Sequence, residues 1–227
     1  MNVQLDYSSD YIKINKISII GELSKYAPEN GEMSKKGDNW TLAIDLPPGE
    51  YKYRFLVNDN LSINDPKANI YAPDEEDKLW SVLVINNDKK RLYNNQQYSV
   101  HLQSYGVSSV LTKEEINKSK KEYNAYLDEK IVTRFEFTNI TGIHVVTVAW
   151  YNPVGELFQY DENNLFKGDK DEVRLWFWLD LKSKRNEIVP GSWKMKLFVN
   201  GAFVLEDKFT ILKENSYSYL AKQKQRL

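Results

Sequence analysis

The sequence predicts an all-β protein built as two tandem β-sandwiches, and three observations point that way. Apolar and polar residues alternate with period two through most of the apolar segments. Asn200-Gly201 separates two such segments, and both central residues of a type I′ hairpin turn need φ > 0. One fourteen-residue string also occurs in each half: LPPGEYKYRFLVND from Leu46 and IVPGSWKMKLFVNG from Ile188 align without a gap. Pro48, Gly49, Lys52, Val57 and Asn58 match Pro190, Gly191, Lys194, Val199 and Asn200, and Tyr51 faces Trp193. A chain of 227 residues accommodates two modules of about 100 residues each.

In the first half the pattern places strands at residues 16–20, 40–45, 51–57 and 80–85, separated by Gly, Pro, Asn and Asp clusters. Tyr51, Tyr53, Phe55 and Val57 share one face and alternate with Lys52 and Arg54, as in a half-buried antiparallel strand. Trp40 is expected in the core. Pro47-Pro48-Gly49 supplies the reversal between two strands. The polar run NNDKKRLYNNQQ after Ile85 reads as a linker, giving domains 1–90 and 91–215 and a basic tail 216–227.

The second half places strands at 98–102, 132–137, 145–151, 173–179, 193–199 and 202–210. A crossover helix is expected around 112–129, with a long charged loop as the alternative: Thr112 and Glu115 form a capping box, Leu111 and Ile116 a hydrophobic staple, and Tyr123, Tyr126 and Leu127 extend a thin apolar stripe. Trp176 and Trp178 lie on one side of their strand and Leu175, Phe177 and Leu179 on the other. Apolar residues on both sides imply a strand covered on both faces.

Composition narrows the activity. A net charge of −1 gives no global basic field for phosphates, so nucleic acid is not an expected partner. The absence of cysteine removes disulfides, thiolate metal sites and cysteine nucleophiles. No apolar run is long enough to cross a membrane, and the N-terminus lacks a signal pattern, which makes a cytoplasmic protein the expectation. His101 and His144 stand apart, without the spacing of a zinc site or a Gly-x-Ser-x-Gly elbow. The acidic runs 74–77 and 169–172 read as solvated loops. No cofactor, metal or catalytic residue is expected.

The segments Ile19-Ile20-Gly21-Glu22-Leu23, Met33-Ser34-Lys35-Lys36, Trp40, LPPGEYKYRFLV from Leu46 to Val57, and Asp65-Pro66 resemble the glycogen-binding, or isoamylase N-terminal, family. These early-set, immunoglobulin-like sandwiches occur in the β subunit of AMP-activated protein kinase. They also precede the barrel in branching and debranching enzymes of glycoside hydrolase family 13. The resemblance covers residues 16–85 and implies an α-glucan site with two aromatic platforms, a basic strand residue and an Asn. Carried over, the first platform falls on Tyr26, the basic position on Arg54 and the second platform on Leu61, which is aliphatic. The Asn position falls at Trp80-Ser81, where there is no amide; Asn58, Asn60, Asn64 or Trp80 are the substitutes within reach. A family 13 barrel needs about 250 residues, more than this chain can add to a sandwich.

The second half resembles generic bacterial immunoglobulin-like domains through WYNPVG and the PGSW strand, a resemblance that carries no site. The sequence therefore points to a non-catalytic accessory that binds or targets α-glucan oligosaccharides. The alternative is a degenerate sandwich serving protein interaction or self-association through the Trp176 and Trp178 face.

Overall fold

The computed structural model describes residues 1–95, 98–111, 119–169 and 171–214. The chain divides into two compact units: Met1–Tyr98 with Thr141–Thr147 and Phe198–Phe203, and Ser99–Ile140 with Val148–Leu197 and Val204 onward.

In chain order the first unit contains β1 (Asn2–Tyr7), β2 (Ile17–Gly21), β3 (Ser34–Lys36), β4 (Asn39–Asp45), β5 (Gly49–Val57), β6 (Leu61–Ile63), β7 (Tyr71–Pro73), β8 (Leu79–Ile85) and β9 (Arg91–Leu92). One sheet has the order β1-β4-β3 and the other β2-β5-β8-β7, with β6 added to β5 and β9 to β8. All its β2, β5 and β8 pairings are antiparallel, with Ile19 opposite Phe55 and Tyr53 opposite Ser81. The predicted alternation accounts for the core: Tyr53, Phe55, Val57, Leu79 and Leu83 are fully buried on one face of this sheet. Tyr7 of β1 reaches across the sandwich to Phe55, ring centroids 4.9 Å apart. Val3, Leu5 and Tyr7 give β1 its buried face, a signal present in the sequence but outside the strands predicted from it.

The second unit is built on β10 (Ser99–Ser108), β11 (Glu122–Asn124), β12 (Lys130–Thr141), β13 (Ile143–Tyr151), β14 (Leu157–Phe166), β15 (Glu172–Asp180), β16 (Gly191–Val199) and β17 (Ala202–Leu212). Its sheets run β10-β12-β15 and β11-β17-β16-β13-β14. Ile131, Thr133, Phe135 and Phe137 from β12 and Trp193, Met195 and Leu197 from β16 supply much of the core. Phe135 packs edge-on to Phe177, 6.0 Å between centroids. The all-β fold is as the sequence predicts, with no helix of seven or more residues among the described residues.

Four expectations need correction. The helix expected around 112–129 is absent over its described second half: Glu122–Asn124 is a strand that pairs in parallel with β17, Tyr123 opposite Ile211. Burying Tyr123 completely against Phe209 won over the weak helical stripe. Residues 112–118 lie outside the described residues, as does the tail 215–227. The polar run after Ile85 is not an extended linker, because Asn86 closes a hairpin with Lys90 (3.0 Å) and sets β9 against β8. Trp40 is only half-buried, with the Lys35 ammonium 5.9 Å from its ring. Finally, β15 is covered on one face and only in part on the other: Phe177 and Leu179 are buried, while Trp176 is half-buried and Trp178 is 48% exposed.

The internal echo has a shared physical basis. Asn58 and Asn200, which end β5 and β16, have φ of 52° and 51°, a conformation Asn tolerates better than other side chains. The Asn58 carboxamide oxygen accepts from the N–H groups of Asn15 and Lys16, and the Asn200 oxygen accepts from Val145 N–H at 2.9 Å. Asn200 also donates to His144 Nδ1 (2.9 Å), whose Nε2 faces the Thr141 carbonyl (3.1 Å). These partners fix the tautomer with the proton on Nε2, so buried His144 is a satisfied structural group. Gly201 completes the turn at φ 81°, and a Cβ there would lie 1.9 Å from the carbonyl oxygen of Asn64. Gly201→Ala is therefore expected to cost about 2 kcal/mol or more, lowering Tm by about 4–8 °C. An unchanged melting curve would contradict this contact.

Candidate functional site

The outer face of the β2-β5-β8-β7 sheet carries the residues that the strand pattern directs away from the core: Ile20, Lys52, Arg54, Leu56, Trp80 and Val82. Its centre is an indole over a guanidinium. Trp80 is half-buried, and the Arg54 guanidinium carbon lies 6.0 Å from its ring centroid. Lys78 brings a second cation to 5.9 Å. Cations over an indole are attracted by the negative ring face, more strongly where water is excluded. Arg54 has no exposed surface at all, so its charge acts on Trp80 from within the fold.

The indole is also held at its edge. Trp80 Nε1–H donates to Asp74 Oδ2 (2.7 Å), and Asp74 Oδ1 accepts the backbone N–H groups of Glu76 and Lys78, both at 2.9 Å. Burial by itself pushes the Asp74 carboxyl up, but these three hydrogen bonds outweigh it and hold the group below the usual carboxylate range.

Tyr26 follows a strained turn at Gly21. Gly21 ends β2 at φ 107°, where a Cβ would lie 2.4 Å from the Lys52 carbonyl oxygen and 3.1 Å from Trp80 Cζ3. Only glycine lets the indole rest there. The Gly21 carbonyl then accepts Tyr26 N–H (2.8 Å) and the Ser24 hydroxyl (3.2 Å). Lys25 and Tyr26 are held at φ 54° and 60°, consecutive left-handed residues of a kind that persists only where surroundings enforce it. Glu22 anchors the turn by accepting Lys52 N–H at 2.7 Å, and Lys52 Nζ donates to the Pro73 carbonyl at 2.7 Å. Tyr26 is 67% exposed and is tied by its backbone to Gly21, the residue against which Trp80 rests.

Of the five positions expected from the sequence, Arg54 lies against the Trp80 ring, and Tyr26 follows the turn at Gly21 that borders Trp80. Leu61 and Ser81 belong to the interior. Leu61 is 1% exposed on the core face of β6 and offers a ligand no surface. Ser81 is fully buried and serves the fold: its N–H donates to Asn64 Oδ1 (2.9 Å) and its hydroxyl accepts Asp65 N–H (2.9 Å). Arg54 is buried rather than presented as a hydroxyl donor. Among the substitutes for the missing amide, Asn64 is buried in the same network and Asn58 binds the backbone of residues 13–16. Trp80 alone faces outward from a regular strand.

The Asp65-Pro66 pair also acts inside the fold. Tyr53 donates to Asp65 Oδ2 at 2.7 Å, and Asp65 Oδ1 accepts Lys67 N–H at 2.8 Å. Burial pushes the Asp65 carboxyl up, partly opposed by these bonds. Sequence reasoning missed Gly21, Glu22, Asp74 and Lys78; the acidic run 74–77 was the visible signal for Asp74, whose bond to Trp80 depends on the hairpin between β7 and β8.

In the second unit, Trp176 and Trp178 stand opposite Arg134 and Val132 of β12. Glu136 lies within 3.4 Å of Arg174 and 3.7 Å of Arg134 on the same strand face. No group of three or more potential metal-ligating His, Cys, Asp or Glu occurs among the described residues, and no helix there is long and apolar enough to cross a membrane.

Residues 9–91 match the family described as the glycogen recognition site of AMP-activated protein kinase. No curated protein matches the chain. Among solved structures, the chain is similar to an immunoglobulin-like protein from Pseudomonas aeruginosa, at 18% identity and TM-score 0.37 over 51% of this chain and 98% of that one. It is similar to the alkylpurine DNA glycosylase AlkC of Pseudomonas fluorescens at 16% identity and TM-score 0.35, over 49% of this chain and 30% of that one. A β-glucosidase from Listeria innocua gives 17% identity and TM-score 0.33, over 55% of this chain and 17% of that one.

The Asp74–Trp80 bond yields a pH prediction. A carboxyl whose folded pKa is depressed contributes stability above its unfolded value, here 3.8, and loses it as pH falls through the lower folded value. The indole N–H resonance of Trp80, assigned by its absence in Trp80→Phe, should hold its position from pH 7 to about pH 4 and move only below that. Movement centred near pH 5 would show that Asp74 does not hold the ring.

Proposed function

We propose that the protein is a non-catalytic, cytoplasmic accessory whose first unit binds α-glucan chains on the outer face of the β2-β5-β8-β7 sheet. The observation that supports this reading is half-buried Trp80, held by Asp74 and set against Gly21 in the segment that matches the glycogen recognition family, with exposed Tyr26 on the turn that Gly21 begins. A pyranose presents a C–H face that packs on an aromatic plane, and its hydroxyls need donors and acceptors to replace water. Trp80 supplies the plane. Lys78 and Lys52 supply donors nearby, while Asp74 keeps the indole from turning. Family 13 modules of this kind precede a catalytic barrel, and we place this chain's first unit beside them in ancestry.

The site departs from the family pattern in a way that sets its strength. In this reading Trp80 on β8 serves as an aromatic platform in place of the position of Leu61, which is buried on β6. The buried Arg54 then acts through the indole. Binding is expected to be weak, with a Kd in the millimolar to upper micromolar range, of the order of −4 to −6 kcal/mol.

A second reading concerns the second unit, where Trp178 is 48% exposed on β15 and offers a surface for a protein partner or another copy of the chain. Light scattering of the wild type and Trp178→Lys separates them: concentration-dependent mass lost in the variant supports self-association, and a monomer in both opposes it.

For the glucan site, isothermal titration with maltoheptaose should give heat that Trp80→Ala weakens about tenfold or more and Tyr26→Ala weakens by about three- to tenfold. Circular dichroism establishes that the variants remain folded. No heat from folded wild-type protein at millimolar sugar, or affinity untouched by both substitutions, would overturn the reading.

A further inference from the structure

The first unit contains a second recess, of about 210 Å³, away from Trp80. Its walls come from the end of β1 and the segment that follows, from Pro66, and from the β16–β17 hairpin tip, all within that unit. Tyr7 and Phe198, 3% and 1% exposed, give it an apolar floor. The rings of Tyr11 and Phe203 stack at 3.6 Å with 7° between their planes. Tyr11 remains 51% exposed, and both rings line the recess.

The polar side of the recess has a definite donor and acceptor arrangement. Ser9 Oγ accepts the backbone N–H groups of Tyr11 and Ile12, both at 3.2 Å. With both lone pairs engaged, its hydroxyl proton is the part left for a ligand. Asp10, exposed beside it, can only accept. The site therefore sets a donor next to an acceptor beside an aromatic plane.

We infer that this recess takes a single neutral pyranose, such as one glucosyl unit of a chain, as a second sugar contact of the first unit. The inference rests on the glucan-binding reading for the choice of sugar. A vicinal diol donates and accepts through neighbouring oxygens, which matches Ser9 and Asp10, while the ring's C–H face matches the Tyr11 wall. The carboxylate disfavours anions. A quaternary ammonium would need rings converging as a cage, and here the two rings lie parallel. At about 210 Å³ the recess is smaller than the roughly 300 Å³ of pockets for drug-sized ligands, which suits one ring and not an oligosaccharide.

The test is a ¹H–¹⁵N titration of the full chain with maltotriose, repeated on Trp80→Ala, Tyr11→Ala and Asp10→Ala and with choline as a second probe. The expected result is movement of the amides of 8–11 and 201–203 in both wild type and Trp80→Ala. Tyr11→Ala and Asp10→Ala should each weaken that response about tenfold, with the rest of the spectrum preserved. Movement confined to amides around Gly21 and residues 74–80 would overturn the second contact and leave the glucan site standing. Movement confined to the recess would support it and overturn the Trp80 site. A response to choline but not to maltotriose would overturn the sugar assignment, and no response to maltotriose anywhere would overturn both.

Discussion

A fully buried guanidinium on the outward face of a strand is the constraint around which the candidate site is organised. Arg54 points away from the sandwich core, yet it has no exposed surface. Burying a charge is costly unless its surroundings compensate, and the π face of Trp80 at 6.0 Å is part of that compensation. The indole lies against Arg54 on the outer face. Gly21 leaves room for its edge, and Asp74 fixes its N–H. A ring held in place for these structural reasons loses little further conformational entropy if it takes part in binding. The same turn that leaves space for the ring holds Lys25 and Tyr26 in left-handed backbone, with Tyr26 exposed.

The two halves repeat one device. A Pro-Gly turn starts a central strand, alternating apolar residues bury one face, and a left-handed Asn ends it and binds a neighbouring backbone. In the first unit that Asn is Asn58, joined to residues 13–16, and in the β16–β17 hairpin it is Asn200, joined to Val145 and His144. Turn chemistry and strand pairing explain why these short strings look alike. The residues between the identities diverge as their surroundings do: Arg54 lies under Trp80, whereas Lys196, at the corresponding position, lies 4.7 Å from the Tyr151 ring and 3.5 Å from Glu206.

Period-two patterning was legible wherever one face is buried, and the ten strands it predicts are all present, with Asn200-Gly201 in the expected turn. It failed for reasons that are local in each case. Strand β14, LFQYDENNLF, is too polar to announce itself, and Glu122–Asn124 becomes a strand only because β17 offers an edge. Direction was easier to read than exposure. Alternation sends Arg54 to the outer face, where strand pairing also sets Trp80, but the burial of Arg54 involves an indole that is distant in sequence. Leu61 was placed by family resemblance, and its burial follows from pairing with Val57. Nothing in the one-dimensional pattern joins Gly21 to Trp80, because that contact exists only after β2 and β8 are set on either side of β5.

The central claim is that the Trp80 plane receives sugar, and ¹⁹F spectroscopy tests it directly in protein labelled with 5-fluorotryptophan, which has six tryptophan positions. With resonances assigned by single Trp→Phe variants, maltoheptaose should shift the Trp80 signal in a saturable way and leave those of Trp176 and Trp178 in place. A Trp80 signal that stays fixed at saturating sugar, or a response carried by Trp178, would contradict the account.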